Sequence, residues 1–128
     1  MSGAGACRHA TSMNKPMIEA LVQRWIHAVT VGPPEAFDPL LTEDVVDESA
    51  ASPSQGSETF KVRAEAVRKA MSGLSLSVDS LVIDGDAIAW RWTLTGTTTA
   101  AGERAVIRGA NFQTLRDGRV SKHWSIRS

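Results

Sequence analysis

The chain has 128 residues, and its 14 Lys plus Arg cancel its 14 Asp plus Glu. A formal charge of zero excludes a dedicated nucleic-acid binder, which needs surplus cations to neutralise phosphates, and offers no polybasic signal for an anionic membrane. With 42% apolar and 22% charged residues the composition is that of one globular domain. Four Trp, three Phe and no Tyr exclude chemistry that needs a phenolic donor, and the single cysteine, Cys7, excludes an internal disulfide or a multi-cysteine metal site.

Residues 1–14 read as a flexible tail. Met1 to Ser12 is small and polar and lacks an apolar signal core. Cys7 and His9 read as an idle pair rather than a metal site. No stretch is apolar for long enough to cross a membrane, so a cytoplasmic protein with no membrane contact is expected. From Met17 the pattern is helical, since Ile18, Leu21, Val22, Trp25, Ile26 and Val29 form one apolar stripe. Pro16 suits its first turn, and Gly32, Pro33 and Pro34 stop it. A short helix over Glu35 to Leu41 buries Phe37, a strand follows over Thr42 to Glu48, and Ala50 to Gly56 is a Ser/Pro/Gly loop. A third helix runs from Ser57 to Ser72 with Phe60, Ala64, Val67 and Met71 on one face.

After Gly73 the period changes to 2. Strands are expected over Leu74 to Ile83, Ala87 to Thr98, Arg104 to Leu115 and Val120 to Arg127, with Asp84-Gly85, Ala101-Gly102 and Asp117-Gly118 as turns. Three helices followed by a four-stranded antiparallel meander make an α+β domain over residues 15–128.

Gly85-Asp86 before a strand, Trp90-Arg91-Trp92-Thr93-Leu94-Thr95-Gly96-Thr97 within it, and Asp117-Gly118-Arg119-Val120 followed by His123-Trp124 occur in that order. Together they resemble the SnoaL-like polyketide cyclase family of the nuclear transport factor 2-like superfamily. Asp47 after a Val-rich strand, and Gly56 with Phe60, extend the resemblance over Met17 to Ser128. It implies a cone-shaped α+β barrel, with three N-terminal helices packed on a curved antiparallel sheet and an apolar pocket at its mouth. It also implies a homodimer formed through the outer sheet face. The implied activity is that of a small enzyme of secondary metabolism acting on a hydrophobic polyketide or polycyclic substrate. The alternative is a binder of a lipophilic ligand, or a dimeric interaction protein, without catalysis. The family's terminal motif is His-Trp-Asp, and its aspartate is the general acid/base. Here Ser125 stands in that place, so the resemblance implies a cyclisation, assisted hydroxylation or rearrangement that does without this acid.

The turn at Asp117-Gly118 is expected to span three residues, setting Asn111 opposite His123 and Gln113 opposite Ser121. Asn111, Gln113, Ser121, His123, Ser125 and Arg127 then share one sheet face, either lining the pocket or facing solvent with Phe112 and Trp124 as the core. On the pocket reading, His123 is the candidate general acid/base, oriented by Asn111. Asp47 and Glu48 point to opposite faces, so only one enters the pocket, where burial would raise its pKa; Glu48 is the candidate base. Trp25, Phe37, Trp90, Trp92, Gln113 and Ser125 are candidate substrate contacts. No metal ligand set, nucleotide fingerprint or phosphate loop is present, and no cofactor is expected.

Overall fold

A computed structural model describes residues 13–49 and 53–128. Residues 1–12 of the expected tail, with Cys7 and His9, lie outside the described residues, as do residues 50–52 of the Ser/Pro/Gly loop. Helix α1 (Lys15–Thr30) is opened by Asn14, whose side-chain oxygen accepts the Met17 N–H at 3.0 Å. That bond satisfies one of the donors a helix start leaves unpaired. The apolar stripe faces inward as its spacing requires, burying Ile18, Leu21, Val22, Trp25 and Ala28. Beyond Gly32 the chain forms a 3₁₀ segment (Pro34–Leu40) that buries Phe37 and Leu40. Pro39 within it lacks the N–H that an α-helix would use.

Strand β1 (Leu41–Asp47), the two-residue strand β2 (Ser54–Gln55) and helix α2 (Glu58–Ala70) follow. The expected third helix ends before Met71, which is already extended at φ −140° and ψ 144°. Met71 opens strand β3 (Met71–Asp84) with no linker, and Gly73, at φ +61°, takes up a shift of register between Ser72 and Ser75. Strands β4 (Ala87–Thr98), β5 (Arg104–Arg116) and β6 (Arg119–Arg127) complete the chain.

The strand order is β2-β1-β6-β5-β4-β3. Strands β3 to β6 form the expected antiparallel meander. Strand β1 joins the other side of β6 in parallel, and β2 pairs antiparallel with β1. Parallel neighbours cannot be joined by a tight hairpin, and here β2, α2 and β3 to β5 make the connection. The α+β class therefore holds, with two corrections. The sheet is mixed rather than antiparallel throughout and does not close into a barrel; α2 follows β1 as the chain order predicted, so only α1 and the 3₁₀ segment precede the sheet.

The last hairpin also differs from expectation. Asp117 at φ 54° and Gly118 at φ 76° form a two-residue turn, which fits the twist of the flanking strands better than the expected three-residue loop. An extra residue in β6, at the register shift beside Thr114 and Leu115, then places both Val120 and Ser121 inward. The Ser121 hydroxyl donates to the Thr114 carbonyl there at 3.1 Å. The resulting pairs are Gln113 with His123 and Asn111 with Ser125. Expected and observed pairings differ by two residues, so the inner and outer faces are unchanged. Phe112 and Trp124 are on the outer face, 46% and 37% exposed, while Asn111, Gln113 and His123 are buried inside.

Both helices and the 3₁₀ segment cover the inner face. The core unites Ile18, Leu21, Trp25, Phe37, Val45, Phe60, Trp90 and Val120. Arg68 of α2 donates from Nε to the Val29 carbonyl at 3.0 Å and from Nη2 to that of Ala28, tying α2 to the end of α1.

Candidate functional site

The core does not fill the space between the helices and the inner sheet face. A cavity of about 590 Å³ remains, within the size range of small-molecule sites. Trp25 and Val29 reach it from α1, Phe60 and Arg63 from α2, Trp90 and Trp92 from β4, and Asn111, His123 and Ser125 from β5 and β6. Phe37, from the 3₁₀ segment, stands edge-on to Trp25 at 5.4 Å. The structure thus gathers Trp25, Phe37, Trp90, Trp92, Asn111, His123 and Ser125 around one space. Gln113 is buried behind that wall, and Glu48 is elsewhere.

Two tryptophan N–H groups set the polar part of the wall. Trp90 Nε1 donates to Gln113 Oε1 at 3.1 Å, and Gln113 Nε2 lies 3.0 Å from His123 Nδ1. An indole N–H can only donate, so the Gln113 oxygen faces Trp90 and its NH₂ donates to His123. Nδ1 is therefore the acceptor, and the neutral ring carries its proton on Nε2. Among the described residues Nε2 has no protein partner, and the ring lines the cavity. In the same way Trp92 Nε1 donates to Asn111 Oδ1 at 3.0 Å, which leaves the Asn111 NH₂ as a donor. The orienting residue for His123 is its strand partner Gln113, not Asn111 as expected from the three-residue turn.

The ring is held on its faces too. Trp25 stacks on His123 at 5.1 Å, with 21° between the planes, and Phe60 meets it edge-on at 5.3 Å. Burial in this aromatic box pushes the His123 pKa down to about 4. The Asp47 carboxylate opposes that fall and Arg63 adds to it. At neutral pH the residue is an uncharged hydrogen-bond donor.

Of the two adjacent carboxylates, Asp47 is the inward one, 1% exposed, and it pairs with Arg63 of α2. Burial pushes its carboxyl upward. Hydrogen bonds from Ser49 and Arg63, with the Arg63 charge, outweigh that and hold the pKa below the usual carboxylate value. The buried carboxylate is thus ionised, contrary to the raised pKa expected of one in this place. Glu48 is exposed on the other face, beside a shallow outer groove with Phe112, Lys122 and Trp124. Strand β1 ends with Asp47 turned inward, and Glu48, the next residue, is exposed and does not line the cavity.

Ser125 is fixed by its neighbours. Its backbone N–H donates to Ser49 Oγ at 2.9 Å, and the two hydroxyls are 3.5 Å apart. Sequence reading had not singled out Arg63 or Ser49. A signal for Arg63 was present, since it follows Phe60 by three residues and so lies on the same side of α2. Ser49 had none, because it lies past the end of β1. Among the described residues, no three His, Cys, Asp or Glu side chains gather to hold a metal ion, and no helix is long and apolar enough to cross a membrane.

An open mixed sheet with helices on one face and an aromatic cavity between them defines a nuclear transport factor 2-like architecture. The chain belongs to the SnoaL-like domain family, whose profile matches residues 22–123. Its fold is similar to that of TsrD from Streptomyces laurentii, with a TM-score of 0.81 at 22% identity over 91% of both chains. It is similar to AclR from Streptomyces galilaeus, described as a candidate hydroxylase, with a TM-score of 0.78 at 22% identity over 90% of this chain and 77% of that one. It is also similar to IdmH from Streptomyces antibioticus, described as a candidate polyketide cyclase, with a TM-score of 0.77 at 20% identity over 90% of this chain and 93% of that one. No curated protein matches the sequence.

Proposed function

We propose that this protein is a small enzyme of secondary metabolism that binds a flat, apolar, carbonyl-bearing polyketide or polycyclic substrate and activates it by hydrogen bonding. The observation that carries this reading is the Trp90–Gln113–His123 chain, which holds His123 as a neutral donor on an aromatic wall. A donor held in a dry site stabilises negative charge as it develops on a carbonyl oxygen. His123 Nε2–H and the Asn111 NH₂ fill that role, and Trp25, Phe37, Trp90 and Trp92 take the apolar body. With Nδ1 occupied and the pKa depressed, His123 polarises the substrate rather than removing a proton. Ring closure, rearrangement or assisted hydroxylation of a polyketide-derived skeleton passes through such enolate-like charge. TsrD, AclR and IdmH support the reading through shared architecture.

Titration with a neutral anthraquinone tests the site, because Trp25, Trp90 and Trp92 all line the cavity. The expected result is quenching of tryptophan fluorescence together with a lowered carbonyl stretching frequency in the complex. His123→Phe and Asn111→Leu each weaken binding and reverse part of that frequency shift. Quenching with an unshifted carbonyl band would refute the donor role. The same wall has no lining carboxylate among the described residues, which also suits a protein that holds such a ligand unchanged. Incubation with a panel of aromatic polyketides decides between them, since turnover abolished by His123→Phe marks the enzyme and binding without turnover marks the carrier.

We also propose a homodimer through the outer sheet face. Val82, Val106, Phe112 and Trp124 are exposed there, and the Phe112 and Trp124 rings pair at 5.1 Å. Light scattering is expected to give a dimer mass that Trp124→Ser reduces to the monomer; a monomeric wild type rejects the proposal.

A further inference from the structure

The charges around the cavity are one-sided. Among its described lining residues the only charged side chains are Arg63 and Arg127, and no Asp or Glu is present. Asp47 neutralises Arg63 from the buried side, through a carboxylate that does not reach the cavity wall. Arg63 keeps 43% of its side chain exposed, so its guanidinium is only partly used by that pair. Arg127, near the end of β6, is exposed and has no ion-pair partner among the described residues. It pairs in register with Gly109, which is also the partner of Trp92, so it lies on the same sheet face and beside the aromatic wall. The pocket thus has an apolar body, neutral donors on the β5 and β6 wall, and a cationic rim shared by α2 and β6.

We propose that this rim is an anion subsite, and that the ligand carries a carboxylate on its aromatic or polyketide body. A guanidinium recognises a carboxylate by paired N–H donors as well as by charge, which gives orientation along with affinity. With the carboxylate at the rim, the apolar body extends inward over Trp92 and Trp90 towards His123, so the anchor chooses which carbonyl meets the donors. The inference rests on the small-molecule reading of the cavity and adds the ligand's charge and direction of entry.

The test compares an anthraquinone carboxylate with its uncharged hydroxymethyl counterpart by tryptophan quenching, in wild type, Arg127→Gln and Arg63→Gln. Wild type is expected to bind the carboxylate about tenfold more tightly, as suits one charge-assisted contact at a partly exposed site. Arg127→Gln brings the ratio close to one while leaving the uncharged probe's affinity unchanged. Added salt narrows the wild-type preference. Equal binding of both probes by wild type, or a preference surviving both substitutions, overturns the anion subsite while leaving the apolar pocket intact. Failure of both probes to bind wild type overturns the pocket reading itself, and the subsite with it.

Discussion

Lowering the pH should destabilise this protein through His123, well above the range in which carboxylates titrate. The folded-state pKa is depressed to about 4, against 6.5 for the unperturbed group. Between these values the unfolded chain binds more protons than the folded one, so stability falls as the pH falls. The contribution is complete above the unfolded value, declines through the interval, and levels off below the folded one. From pH 7 to pH 5 the loss assigned to His123 is about 2 kcal/mol, approaching about 3 kcal/mol at lower pH. Urea unfolding at the two pH values measures it, with His123→Asn as the comparison. The Asn oxygen can accept the Gln113 N–H in place of Nδ1, and it does not titrate. The variant is less stable throughout, because it loses the stack on Trp25. Its change between the two pH values should nonetheless be smaller than that of wild type by about 2 kcal/mol. His27 and the carboxylates are common to both proteins and cancel in the comparison. Equal losses in the two proteins would refute the burial argument, and with it the neutral donor.

Gln113→Leu leaves the Trp90 N–H and His123 Nδ1 without partners, and should cost about 2–4 kcal/mol in chemical unfolding. Nitrogen NMR of the His123 ring should then show mixed tautomers instead of the single Nε2–H form. Gly109→Ala places a Cβ 2.6 Å from the Ile126 carbonyl oxygen and 2.8 Å from Trp92 Cε2, so the indole that holds Asn111 must move. A loss of about 1–3 kcal/mol with an altered near-ultraviolet dichroism of tryptophan is expected. Asp47→Asn removes the acceptor charge from Arg63 and should cost about 1–2 kcal/mol, less than for a fully buried pair because Arg63 is half exposed. The paired carboxylate contributes stability above its unfolded pKa and loses it as the pH falls through the depressed folded value. The variant should therefore lose less stability in acid than wild type does.

Much of the fold was legible because it depends on periodicity. The stripe from Ile18 to Val29 and the alternation from Trp90 to Thr98 required burial of one side, and both segments fold accordingly. The face shared by Asn111, Gln113 and His123 was also readable, since side chains alternate whichever turn closes the hairpin. Their pairing was not readable. It depended on whether Asp117-Gly118 closed a two- or a three-residue turn, and on the extra residue beside Val120. That choice replaced Asn111 with Gln113 as the partner of His123. The inward turn of Asp47 instead of Glu48 was open for a related reason. Alternation says that the two differ, but only packing against α2 and the partner Arg63 says which is inside.

The amino-acid sequence by itself determined an α+β domain with balanced charge, an apolar helix stripe bearing Trp25, and one sheet face shared by Asn111, Gln113 and His123, because composition and local period carry that information. Only the tertiary structure decided that the sheet stays open, that β1 runs parallel to β6, that the face of His123 is the inner one, and that its Nδ1 meets Gln113. A tautomer is fixed by the partner on the other ring nitrogen and a pKa by what surrounds the ring. Here those partners are Gln113, Trp25 and Phe60, from three separate elements that meet only in the folded chain.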